Sequence, residues 1–547
     1  MGEIAECAAR MEGAGLHCGA TVNLRVGPEA REKRRRAARS PKAGATPGTT
    51  ILLIHWTHFR SHPAFCLALN SPCNAGPAAV HGTVMMTRTL SRRRFVETSV
   101  AASAATFAPF GESAGTPPGL RIAPFRFDVT TPVGHPLCGG WTVPMEDCVD
   151  ALEAIGFVIL GAGKPIVICA VDWTGILNDA HVAWRSALAV AAGTTPDRVA
   201  VQCVHQHDAP FICLQAEKLV AEQQDGLRVV EAEFFRACLD RAREAVTAAL
   251  PQARPVTHVA HGEARVEKVA SNRRVALGPD GRVRKMRGSG CRDADLIALP
   301  EGLVDPLLKT VAFYNGAEKM VACHYYATHP MSHYGKGHVS SDFVGLARKQ
   351  RQKEQPGCTH LYFTGCAGNV AAGKYNDGSP EARVQLTQRI YDGIVASEKT
   401  LAPAPVGAVS WKTHEILPPT NPRFVAAKLR EMLADKTNAP ANRIRPAMTL
   451  AWMQRVENRT PIVLSALHLG GIAMLHLPAE CFVEYQLRAQ QLGTGRFIAT
   501  AAYGDGGPWY IPVKEEYPKA GYEVSVANCS DAVDAILTAG IRDLLGA

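Results

Sequence analysis

The chain of 547 residues contains no Cys-x-x-Cys pair among its sixteen cysteines, which argues against a cysteine zinc ribbon. No stretch reaches the roughly 18 uninterrupted apolar residues that a membrane-spanning helix needs, and the run Ile51 to Ile54 is far too short. Charge of one sign is also scarce in the main body. Of the formal net charge of +9, residues 1 to 84 carry +5 (ten Lys/Arg against five Asp/Glu) and residues 85 to 115 carry +2 (four against two). That leaves +2 for residues 116 to 547, so composition makes no electrostatic case for a nucleic-acid partner. No internal repeat is visible in the sequence. What remains is 47% hydrophobic and 20% charged, which excludes disorder of the whole chain. The length allows one large enzyme-sized unit or two to three smaller ones.

The basic front contains a segment beginning at Met85 and Met86, MMTRTLSRRRFVETSVAASAATFAPFGESAG. Ser91 to Val96 form a twin-arginine pattern, followed by a weakly apolar Ala-rich stretch and a Pro/Gly break. This order is that of a Tat signal peptide over residues 85–115, with Ala108 and Ala114 both suited to cleavage. Translation is then expected to start at Met85 or Met86, with residues 1–84 a mis-called upstream stretch or a disordered leader. The expected location is periplasmic or secreted, in a bacterium, and the expected partner on the way there is the Tat machinery. Such export lets a protein fold around a metal before it crosses. Twelve cysteines follow residue 115, and several, such as Cys169 and Cys203, lie in apolar runs that favour small buried thiols.

Along residues 116–547 strands and helices alternate. From Gly156, GFVILGAGKPIVICAVDWTG gives two β-branched runs joined by a Gly-Ala-Gly-Lys turn, a buried hairpin. Asn178 opens a helix that runs through Trp184 and stops at Gly193, and Arg198 to Val204 alternates as a strand. Arg228 to Leu250 reads as an amphipathic helix. Further hairpins turn at Asn315-Gly316 and at Gly470-Gly471, helices are expected near Phe343–Glu354 and Glu381–Ser397, and His360–Phe363 reads as a short strand. Hairpins among alternating elements predict an α/β (α+β) fold with mixed sheets and flanking helices. The stretch from Pro418 to Pro446, rich in Pro, Asn and Ala, is the candidate excursion or lid.

The chemistry concentrates in two histidine groups. In VQCVHQHDAP, His205 and His207 end an apolar strand, where residues two apart share a face and both imidazoles can converge on a metal or substrate. Asp208 follows at once and Pro210 closes the loop, which departs from the His-x-His-x-Asp-His of metallo-β-lactamases. Barrel amidohydrolases also carry an early His-x-His, but the hairpins contradict their repeated strand-helix units. The second group, CHYYATHPMSHYGKGH, holds His324, His329, His333 and His338. His329 sits where a strand gives way to Pro330, whereas His333 and His338 lie in a Gly-containing loop that suits surface residues equally well. Asp342 in the following SSDFVGLA is placed to cap a helix.

Ten segments in order, VDWTG, AWR, HQHDAP, SNRR, VDPLLKTVAFYNG, YYATHP, SSDFVGLA, TGCAGNV, LPAE and WYIPVKEEYPKAGYE, resemble the catalytic domain of the neutral/alkaline non-lysosomal ceramidases. The likeness runs from about Asp128 to Tyr522. Carried over residue by residue, it implies a zinc site of His205, His329, Glu480 and Tyr510, with Ala479 and Trp509 where the family has glycines. Glu480 alternatively caps the helix after LPAE, and Tyr510 alternatively packs as an ordinary aromatic. The resemblance implies His207 as acid/base beside the metal, Arg273 as an oxyanion or substrate contact and Tyr522 as a group that helps polarise the scissile carbonyl. Arg274 stands where the family has serine.

The departures are as informative. The family's functional serine falls on Ala371, the family's His-Thr-His-Ser-Gly-Pro has become His-Gln-His-Asp-Ala-Pro, and the chain ends before any C-terminal β-sandwich. The resemblance therefore implies an exported zinc-dependent amidohydrolase acting through zinc-activated water on a small-molecule or lipid-like substrate, an N-acyl lipid or related compound, different from or broader than ceramide. A non-catalytic exported binding or scaffold protein that keeps the fold is the alternative.

Overall fold

The computed structural model describes residues 119–547. The expected leader and the expected Tat signal lie outside the described residues. Three sheets with one common topology organise the chain. The first contains β1 (Arg121–Asp128), β2 (Glu153–Leu160), β3 (Ile166–Val171) and β4 (Val199–Cys203). The second contains β5 (His258–Arg265), β6 (Leu307–Asn315), β7 (Glu318–Tyr326) and β8 (Thr359–Thr364). The third contains β9 (Val409–Ile416), β10 (Ile462–Leu469), β11 (Ile472–His476) and β12 (Phe497–Ala501).

In each sheet the four strands lie in chain order, two antiparallel pairings followed by one parallel pairing. A tight hairpin joins the second strand to the third, with Gly316 and Gly470 at positive φ in the second and third sheets. A helix carries the chain across to the parallel fourth strand: α1 (Asp179–Ala192), α2 (Asp342–Glu354) and α3 (Val483–Leu492). The threefold repetition is one of topology. The sequence shows no repeat because the connections differ in length and content, whereas hydrogen-bond pairing needs only the right alternation.

That alternation also divides the core. Ile155, Phe157 and Ile159 on β2 face one way while Ala154 and Val158 face the other, as a strand's period of two requires. The first set joins Ile168, Phe313, Phe363, Leu467 and Met474 in a core to which all three sheets contribute. The opposite faces pack against helices, with Trp173 edge-on to Trp184 of α1 at a ring separation of 5.0 Å. All twelve described cysteines are unpaired thiols, ten of them buried. Among the described residues no helix is long and apolar enough to cross a membrane.

Two local expectations are corrected, and the stretch 418–446, expected as an excursion or lid, folds into helices Ala426–Ala434 and Pro440–Glu457, with Arg443, Ile444 and Pro446 buried. Pro440 suits a helix start, Pro446 lies inside the helix, and Arg443 is fixed by Asp225 at 2.6 Å. Asp342 is the first residue of α2, behind Ser341 at the N-cap position, and at φ 51° its carboxylate accepts from the Phe343 amide of the first turn at 2.7 Å and from the Ser332 amide at 2.9 Å. The amphipathic helix expected from Arg228 begins only at Ala232, because Glu217 draws the amides of Val229 and Val230 to its carboxylate at 2.7 and 3.0 Å.

The segment after β12 is tied down by a buried ion pair. Asp505 accepts from the amides of Asn178 (2.9 Å) and Gly507 (3.1 Å) and from Arg455 Nη1 at 2.5 Å. Burial pushes its carboxyl up, but the Arg455 and His181 charges outweigh burial and hold it below the usual carboxylate value. Because the folded value lies below the unfolded one, this contribution is complete above about pH 4 and is lost as pH falls further. Replacing Arg455 by Ala leaves a buried charge unpaired and should cost about 3–5 kcal/mol in chemical denaturation. A loss under about 1 kcal/mol would contradict this account.

Candidate metal centre

Every group in the site hangs from the carboxyl end of one of the parallel strands, where open α/β sheets place their ligands. His205 follows β4, His329 follows β7, Glu480 follows β11, and the segment from Tyr503 to Tyr510 follows β12. Two short ladders bring the ends together. Glu480 pairs directly with Tyr510 in a two-residue parallel pair, and His329 bridges to Ala371, itself paired with Ser271.

The two histidines are oriented from behind. His205 Nδ1 lies 2.6 Å from the Thr174 carbonyl oxygen and His329 Nδ1 lies 2.7 Å from that of Ala367. A carbonyl only accepts, so both rings carry their proton on Nδ1 and present bare Nε2 lone pairs. Those two Nε2 atoms stand 3.0 Å apart, and Glu480 Oε2 lies 3.3 Å from His205 Nε2 and 3.1 Å from His329 Nε2. Burial pushes the His329 imidazole down to about 4 although Glu480 pulls it upward, so the ring is neutral at pH 7. The Glu480 carboxylate is buried against the two rings. Glu480 Oε2 has no hydrogen-bond donor.

Three acceptor atoms thus converge with no proton between them, an arrangement that a cation at their centre makes favourable. Ligands about 2.0–2.1 Å from a tetrahedral zinc stand about 3.3 Å apart, close to the separations seen. Tyr510 supplies a fourth donor atom: its hydroxyl is 3.5 Å from His329 Nε2 and accepts from Arg273 Nη1 at 3.2 Å. Two histidines, a carboxylate and a phenol fit zinc chemistry, and Glu480 does not cap a helix, since α3 starts later with Phe482 at its N-cap position.

His207 stands beside this group, its ring 4.8 Å from that of His205, with a ligand nitrogen within 4.8 Å of those of His205 and His329. The reason given by strand periodicity is corrected: β4 ends at Cys203, and His205 adopts φ 75°, so a loop brings the rings together. Burial lowers the His207 imidazole well below its ordinary value, and its Nδ1 is unpartnered. Arg273 is buried and also faces Glu523 at 3.5 Å. Tyr522 lies one layer out, 41% exposed, with its ring edge-on to Tyr510 at 5.7 Å. Arg274 faces away, bound to Glu516 and Glu523 at 2.9 Å each.

Sequence reasoning missed Tyr503. Its ring stacks on His205 at 4.2 Å and its hydroxyl lies 3.3 Å from His329 Nδ1, so it braces both imidazoles. Only its place directly after a buried strand hinted at this. Of the second histidine group, only His329 reaches the site. His324 lies in β7, 3.0 Å from His360, and the nearby Glu398 is already neutralised by Lys319 (2.8 Å) and Arg351 (2.5 Å). His333 meets the Gly378 carbonyl at 2.9 Å, and His338 pairs with Asp147 at 2.8 Å.

An α/β protein of mixed sheets with a His-His-Glu cluster at the strand ends is the class that fold and site define. The fold is a divergent ceramidase-like one. A ceramidase complexed with C2 is similar over 78% of this chain and 75% of that chain, with a TM-score of 0.57 and 16% identity. The neutral ceramidase from Pseudomonas aeruginosa is similar over 78% of this chain and 74% of that one, with a TM-score of 0.56 and 15% identity. No family model matches the sequence, and no curated protein matches it.

Strain surrounds the cluster. Ala479 and Trp509, which immediately precede Glu480 and Tyr510, take positive φ of 49° and 61°, as do His205 and Tyr503. A glycine would hold the same backbone without a Cβ clash. Ala479→Gly should therefore stabilise the protein by about 1 kcal/mol, read as a raised denaturation midpoint. An unchanged or lowered midpoint would show that the left-handed turn costs nothing there.

Proposed function

We propose that the protein is a zinc-dependent hydrolase that cleaves an amide bond in an N-acyl, lipid-like substrate. The observation that carries this reading is the convergence of the unprotonated His205 Nε2, His329 Nε2 and Glu480 Oε2 within 3.3 Å of one another. The ceramidase-like fold and the ceramidase structures it resembles support the substrate class. The Ser91 to Val96 pattern supports export by the Tat route to the periplasm or beyond.

His205, His329, Glu480 and Tyr510 would hold the ion. Zinc supplies Lewis acidity there, lowering the pKa of water and polarising a carbonyl. His207, neutral through burial, takes a proton from the attacking water as its oxygen bonds to the carbonyl carbon. It then delivers that proton to the amine nitrogen as the C–N bond breaks, which leaves a carboxylic acid and an amine. Arg273 and Tyr522 face the carbonyl oxygen as charge builds on it. Ala371, its backbone paired with Ser271, offers no hydroxyl, and Ser271 Oγ is already committed to the Ala371 carbonyl at 2.9 Å. Water is thus the nucleophile.

Elemental analysis should find about one zinc per chain, with loss of the metal in His205→Ala and in His329→Ala. Protein purified metal-free after growth with zinc would favour a scaffold that merely keeps the fold. His207→Ala should retain zinc while amide hydrolysis falls about 100- to 10,000-fold. Full activity in that variant would remove His207 from the reaction.

A further inference from the structure

Beside the histidine cluster aromatic rings pack together. Trp509 stacks on Phe211 at a ring separation of 6.3 Å and meets Trp141 at 5.5 Å, which makes an apolar wall beside Tyr510. Arg445, from helix Pro440–Glu457, lies across this wall. Its guanidinium sits 5.6 Å from the Trp509 ring centre and 5.7 Å from that of Tyr522, whose ring in turn meets Tyr510. Two aromatic faces therefore fix the cation one ring away from the metal ligands.

The carboxylates near the site are already engaged. Glu480 faces the histidines, Glu523 and Glu516 hold Arg274, Glu523 also faces Arg273, and Asp208 pairs with Arg383 at 3.2 Å. Arg445 has no carboxylate within ion-pair distance among the described residues, and its one polar contact is the Tyr522 hydroxyl at 3.5 Å. Arg443, on the same helix, is by contrast bound to Asp225 at 2.6 Å. A half-buried guanidinium clamped between rings keeps its planar fork free for two parallel hydrogen bonds to an oxyanion.

We infer that Arg445 recognises an anionic group, a carboxylate or a phosphate, on the amine side of an N-acyl substrate. The inference rests on the hydrolase reading for the bond that is cut, but the binding preference stands independently of turnover. It sets the substrate apart from a neutral N-acyl amino alcohol, for which a free guanidinium at the mouth has no partner.

The test uses zinc-loaded protein with His207→Ala to prevent turnover, and calorimetric titration with N-lauroylglycine, its uncharged counterpart N-lauroylglycinamide, and N-lauroyl phosphoethanolamine. The carboxylate or the phosphate ligand should bind at least about ten-fold more tightly than the glycinamide, and which of the two leads identifies the anion. Adding Arg445→Gln should bring the ratio to within about two-fold of unity, while Arg445→Lys should keep part of it. Equal binding of charged and uncharged ligands, or a preference that survives Arg445→Gln, overturns the inference. If the anion preference holds while unmutated His207 protein cleaves none of the three, the recognition stands and the hydrolase reading falls. If unmutated protein cleaves the glycinamide and the charged ligands bind no more tightly than it does, the hydrolase reading stands and the recognition falls.

Discussion

The mutual repulsion of three bare lone pairs, held together by backbone, is the constraint on which the rest of the site depends. His205 Nε2, His329 Nε2 and Glu480 Oε2 do not relax apart because each is fixed from outside the cluster. The imidazoles are locked by carbonyls of Thr174 and Ala367, and Glu480 is locked by its ladder with Tyr510. A cation at the centre would turn the repulsion into attraction, which is the physical basis of the zinc proposal. The positive φ values at His205, Ala479, Tyr503 and Trp509 are part of the same arrangement, since they turn the chain sharply enough to aim four side chains at one point.

The three sheets explain how this is possible. Each repeats one topology and ends in a parallel pair, and each presents the carboxyl ends of its strands to the site. Their shared core binds the sheets to one another through Phe157, Phe313, Leu467 and their neighbours, so the strand ends stand at fixed separations. The chain's contribution beyond metal holding is the mouth. Arg273 lies buried against Tyr510, and Arg445 lies half-buried between Trp509 and Tyr522, which makes the approach cationic as well as apolar.

Much of the architecture was legible because it rests on local alternation and turn chemistry. The Gly-Ala-Gly-Lys, Asn-Gly and Gly-Gly turns mark three real hairpins, and Gly193 ends α1 in the left-handed conformation expected of a helix-terminating glycine. The mixed character of the sheets followed from those hairpins. The repetition of the sheets was hidden, because residues 129–152, 266–306 and 417–461 link corresponding strands with segments unlike one another. The helices of 418–446 were hidden for a related reason. Pro and Asn near Pro440 are helix-start residues as well as loop residues, and tertiary burial of Ile444 and Trp452 decides between the two.

For the site, the order of short motifs pointed to His205, His329 and Glu480, whose Nε2 and Oε2 atoms lie within 3.3 Å of one another, and to Tyr510, whose hydroxyl lies 3.5 Å from His329 Nε2. Strand periodicity was the wrong reason for pairing His205 with His207, since His205 already lies in the loop beyond the strand. The sequence alone determined which residue types are available, where apolar alternation forces strands, and that no serine stands at Ala371. Only the tertiary structure decided that Tyr503 braces the histidines, that His324 and Glu398 are spent on Lys319, Arg351 and His360, and that Arg445 is left without a carboxylate. Those are relations between residues tens to hundreds of positions apart, and they are fixed by the packing of three sheets into one core.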